Sequence, residues 1–187
     1  THSQCLGQEV NMAGNKYRYG PNVMTVQEAT NQVAQRRVIR VSPTLQAGAT
    51  DAGDVAWNQT EIPNAVLRPG GCSKLVRMQV MNYSDTTCDL DIIFTQNSSS
   101  DSAVIGVVDG AINITDANLK LAKLLGIIVV DASATEVDLI NGLTSYDAPT
   151  NGLLLQASEN STSVYFAGID RTGADVDDLE FIFHIEY

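Results

Sequence analysis

The chain has 187 residues, 44% hydrophobic and 18% charged, with 22 acidic against 11 basic side chains and a formal net charge of −11. That length suits one domain with an appended arm, burying about two thirds of the surface its unfolded form exposes, and the composition is that of a globular protein rather than a disordered polymer. Residues 1–77 carry eight basic and five acidic groups and residues 78–187 three and seventeen, so the acidic body argues against nucleic acid as a partner, whereas the mildly basic front end suits docking on something acidic.

Residues 1–35 differ from the rest. Gly7, Gly14 and Gly20-Pro21, the aromatic and basic Lys16-Tyr17-Arg18-Tyr19, and a Gln- and Asn-rich tract to Gln35 predict an arm that is extended or ordered only against a partner, with a weak helix as an option from Val23. Lys16, Tyr17, Arg18, Tyr19, Arg36 and Arg37 are the expected contacts from this arm to neighbouring subunits. The β-sandwich domain is expected over 36–187.

Arg36 to Ser42 alternates and is bounded by Pro43, which predicts a strand. Leu45 to Asp54 is small and Gly-rich, a loop, and Trp57 with Asn58, Gln59 and Thr60 reads as a polar loop whose indole is a possible surface anchor, although a tryptophan plugging a sandwich is as common. Pro63 places Glu61–Val66 at an edge or bulge. Leu75–Val80 and Leu90–Thr95 both alternate, and the turn formers Asn82–Thr87 between them predict an antiparallel hairpin at the centre of the fold.

Beyond the hairpin, Ala103–Val108 is an apolar patch and Ala111–Ile114 a short strand. Thr115 as N-cap, Asp116 in the first turn, Ala117, Leu121, Leu124 and Leu125 on one face and Gly126 as terminator predict a helix lying on the sandwich as a lid. Ile127–Val130 is a buried-strand pattern and 131–151 an acidic loop. Leu153–Ala157 and Ser163–Ile169, joined by a turn at Ser158–Ser161, and Leu179–Tyr187 complete eight or nine strands. With no βαβ rhythm, the expected class is all-β: an antiparallel two-sheet sandwich of jelly-roll or Greek-key type, with one short helix and an N-terminal arm.

Catalytic chemistry has few candidates. The two histidines are His2 in the arm and His184 in the last strand, where a solvent-facing or neighbour-bonded imidazole is expected. Asp89 and Asp91, two apart on one strand, are the only pair that invites glycoside hydrolysis, and Asp175, Asp177 and Asp178 lack the glycine and distal glutamate of an EF-hand loop. The expectation is a non-enzyme with no cofactor and no metal. Cys5, Cys72 and Cys88 form no disulfide framework, so reduced thiols are expected. No apolar run reaches the roughly 18 residues of a membrane span and Thr1-His2-Ser3-Gln4 has no signal-peptide character, so a soluble protein without a membrane partner is expected.

Gly53-Asp54-Val55, Glu61–Val66, Gly70-Gly71, Leu75–Val80, Leu90–Phe94, Ile112–Ala117 and Leu124-Leu125-Gly126 together resemble a group of small structural proteins of tailed bacteriophages, marine and cyanobacterial phages among them. The resemblance spans roughly 53–187 and lends no catalytic residue. It implies a head decoration, or cement, protein bound to the major capsid protein, commonly as a homotrimer, in a virion assembled in the host cytoplasm. A tail or fibre component whose sandwich holds a glycan at Trp57 is the alternative.

Overall fold

A computed structural model describes residues 16–19, 22–25, 35–45, 51–84, 86–98, 104–140, 142–174 and 177–187. The chain divides into two units, Thr1–Gln35 and Arg36–Tyr187. In the first, strands β1 (Lys16–Tyr19) and β2 (Asn22–Thr25) pair antiparallel, with Tyr19 opposite Asn22. The helix considered from Val23 is replaced by strand as far as Thr25, and its remainder lies outside the described residues.

The second unit is an all-β sandwich of two antiparallel sheets. One runs β3 (Arg36–Val41), β12 (Leu179–Glu186), β5 (Cys72–Asn82), β9 (Leu143–Ala148), β8 (Glu136–Ile140), with β10 (Leu154–Gln156) also paired to β5. The other runs β4 (Val55–Ile62), β11 (Val164–Asp170), β6 (Leu90–Thr95), β7 (Leu124–Val130). Alternation decides what lies between them: Leu90, Ile92 and Phe94 of β6 face Leu179, Phe181, Phe183 and Ile185 of β12 across one core.

The central hairpin is not formed. β5 and β6 belong to opposite sheets, and Asn82–Thr87 carries the chain across the core instead of turning it back. Asn82 shapes that crossing: its Nδ2 donates to the Thr86 carbonyl at 2.6 Å and its Oδ1 accepts from the Ser84 amide at 2.9 Å. Alternation in β5 also changes phase. His184 is opposite Arg77 and Ile185 opposite Leu75, so Val76 is a bulge that lets both Leu75 and Met78 point inward. Ser158–Ser161 likewise joins no hairpin, since β10 pairs with β5 and β11 with β4 and β6.

The core centres on aromatic rings. Phe166 lies 4.9 Å from Phe181, 5.1 Å from Phe183, 5.9 Å from Trp57 and 6.5 Å from Phe94, centroid to centroid. Most of these pairs are edge-to-face, the arrangement that the ring quadrupole favours.

The helix α1 spans Asp116–Ala122 and starts as its residues dictate, with Thr115 Oγ1 accepting from the Asn118 amide at 3.2 Å. It ends earlier than expected, because Lys123 takes a left-handed φ of 52° and Gly126 lies inside β7. Only Ala122 is buried and Leu121 faces outward, so α1 is not a lid. The stretch 131–151 is not all loop: a single turn α2 (Ala132–Thr135) leads into β8 and β9.

Candidate interaction surface

The two outer faces of the sandwich differ in the balance of charged and apolar groups. On the sheet containing β5 and β12, outward positions carry charge pairs: Arg36 Nε with Glu186 at 3.0 Å, Arg40 Nη1 with Glu180 at 2.7 Å, and Arg77 Nη2 with Asp147 at 2.8 Å. Such exposed pairs contribute about 0.2–1 kcal/mol each, so they chiefly keep this face wet.

The other outer face carries an apolar cluster beside the Arg171–Asp91 ion pair. Ile93, Ala167 and Ile169 point away from the main core and form a second cluster with Val55 and Ile105, against which Ile114 packs. The segment 104–114 closes over them, held by bridges Val55–Val108 and Asp54–Ala111 and by Asn58 Nδ2 donating to the Gly106 carbonyl at 2.8 Å. Gly106 is required there, since a Cβ would stand 2.8 Å from Val55 Cγ2. This cover stops short of β7. Ile127 and Val129, opposite Ile93 and Asp91 in the register, are 54% and 56% exposed, and the cover itself presents Val107 at 68%, with Val104 and Ile112 also exposed. An apolar expanse of this kind on a water-facing sheet marks a contact surface.

The anticipated site residues fall in separate places. Lys16, Tyr17, Arg18 and Tyr19 form β1, in the unit 1–35. Arg36 and Arg37 belong to β3 in the sandwich rather than to the arm, and Arg36 pairs with Glu186 of its own chain. Trp57 is not a surface anchor: it is 1% exposed, lies in β4 rather than a loop, and packs 5.2 Å from Phe181. Its ring fits because Gly168, opposite it on β11, has no side chain.

The two carboxylates Asp89 and Asp91 have separate partners. Asp89 precedes β6 and accepts from the Ala132 amide at 2.8 Å, while Asp91 holds Arg171, whose Nε donates at 2.7 Å. Each carboxylate is committed to a structural partner. His184 is half-buried on the charged face, opposite Val38 and Arg77. Among the described residues no three His, Cys, Asp or Glu side chains gather as a metal site, and no helix is long and apolar enough to cross a membrane. A broad polar depression of about 630 Å³ is lined by Gln96, Lys123, Gln156, Glu159 and Asn160, but Gln96 Nε2 is already engaged by the Ala157 carbonyl at 2.9 Å.

Cys72 is exposed and Cys88 buried, both free thiols. Burial pushes the Cys88 thiol from 9.0 up to about 12 and the Tyr146 hydroxyl from 10.0 to about 12. Both groups therefore hold their protons in the fold at pH values where the unfolded chain releases them. Their stabilisation is complete below about pH 9 and is lost as pH rises towards 12. Urea midpoints are expected to be level from pH 7 to 8.5 and to fall above 9, more gently in Cys88→Ala; an equal fall in that variant contradicts the assignment.

The chain matches no protein-family model and no curated protein.

Proposed function

We propose that the chain is a structural virion protein, a decoration or cement protein that binds the major capsid protein of a tailed-phage head and stabilises it. The observation that carries this reading is the apolar outer face formed by Val104, Val107, Ile112, Ile127 and Val129 on a sandwich whose opposite face is laced with ion pairs. A rigid body with an exposed apolar patch on one side is suited to sitting on a larger surface, and many weak contacts over a closed shell add up to firm attachment. The resemblance of residues 53–187 to phage structural proteins points the same way, and the hairpin arm with Lys16, Tyr17, Arg18 and Tyr19 supplies a second contact to neighbouring subunits. Binding rather than turnover is the work of such a chain.

The alternative, a tail or fibre component holding a glycan by its tryptophan, loses its contact residue because the Trp57 indole is enclosed.

Gold-labelled antibody against this chain, applied to intact particles, is expected to decorate heads evenly; label confined to tails overturns the head assignment. In rebinding assays with heads lacking the chain, Val107→Asp and Ile112→Asp are expected to lose binding while melting at the wild-type temperature, since both side chains are already exposed.

A further inference from the structure

We infer that β7 is a self-association edge, pairing antiparallel with β7 of a second copy of this chain about a two-fold axis. The inference does not rest on the docking reading above.

Five strands of the sandwich have one neighbour only, β3, β8, β10, β4 and β7; β10 is three residues long, and β3, β8 and β4 are guarded in the ways that natural edge strands are. β3 carries exposed Arg36, Arg37 and Arg40. β8 alternates Glu136 and Asp138 with its apolar residues, and β4 carries Glu61 and is bridged at Val55 by the 104–114 segment. β7 is interrupted only by a bulge at Leu125, at its entry, and is unguarded beyond it. Its sequence, Leu-Leu-Gly-Ile-Ile-Val-Val, holds no charge and no proline. Among the described residues its backbone is hydrogen-bonded to β6 alone, which leaves a row of donors and acceptors along the outer edge.

The flanks identify the occupant. Lys120 and Lys123 stand just before β7 and Asp131 just after it, and among the described residues none of the three is in an ion pair. Antiparallel pairing of two copies centred on Ile127 brings Lys123 of each strand beside Asp131 of the other, twice. A parallel pairing sets like charges together. The strand is thus complementary to itself in one orientation, as an isologous contact requires, and the join extends the apolar outer face, with Ile127 and Val129 of both copies, across one continuous sheet.

Sedimentation velocity of the full chain tests this. The wild type is expected to be a dimer at micromolar concentration. Ile127→Lys, at a side chain 54% exposed, is expected to be a monomer with an unchanged melting temperature. Lys123→Glu is expected to weaken the dimer about tenfold, and Lys123→Glu combined with Asp131→Lys to restore it. A wild type that sediments as a trimer or as a monomer throughout, or a dimer indifferent to Ile127→Lys and Lys123→Glu, overturns the assignment. Head binding by a monomeric wild type would leave the docking reading standing and remove this one.

Discussion

Trp57→Ala is expected to destabilise the chain by about 3–5 kcal/mol, the range for removing a large aromatic from a packed core. The indole is fully enclosed and touches Phe166 at 5.9 Å and Phe181 at 5.2 Å, so its loss opens a void between the two sheets that these rigid neighbours fill poorly. Because Trp57 is the chain's one tryptophan, its fluorescence reports the same fact without mutation. Emission is expected to be blue-shifted and shielded from iodide in the native state, and to shift red on unfolding in urea. Red-shifted, readily quenched native emission contradicts the burial.

Gly168→Ala is the second large effect, and it arises from the same contact. A Cβ at this position stands 2.0 Å from Trp57 Cη2 and 2.2 Å from Cζ3, closer than any real contact, so the ring must move. It has nowhere to go, since Phe166 and Phe181 box it in. The cost is expected at or above the upper end of the usual overpacking range, about 3 kcal/mol. Trp57→Leu in the same chain should recover part of it, giving a coupling of opposite sign to the two single losses. Additive losses in urea denaturation contradict a direct clash.

How much of this was legible in the residues depends on what alternation encodes. Period two tells which face of a strand is buried, and the inward Leu90, Ile92 and Phe94 of β6 and Leu179, Phe181, Phe183 and Ile185 of β12 were readable in that way. It does not tell which strand is the neighbour. Alternating residues pack equally well whether Asn82–Thr87 reverses within one sheet or arches to the other, and the arch was hidden for that reason. Val76 adds a residue without any local mark, so the switch of Leu75 and Met78 to a common face needed the register with β12 to appear.

Edge strands were hard to see for a related reason. Glu136-Val137-Asp138-Leu139 reads as acidic loop because guarding charges replace every second side chain. Trp57 was masked in the same way by Asn58, Gln59 and Thr60 on β4, the edge of its sheet. Its one signal is Val55-Ala56 just before it, an apolar entry into a strand that ends at Ile62, before Pro63. Of the candidate surface, the apolar patch Ala103–Val108 is legible and the part on β7 is not. Ile127–Val130 has the composition of a buried strand, and only its place at the end of a sheet, with the 104–114 cover stopping short of it, leaves Ile127 and Val129 in water.

Hydrogen exchange of the chain free in solution and on purified heads measures the apolar face directly. Peptides covering Val104–Ile114 are expected to gain strong protection on the heads while those covering Arg77 and Glu180 on the charged face do not. Protection confined to the charged face, with the apolar face exchanging as it does in solution, contradicts it.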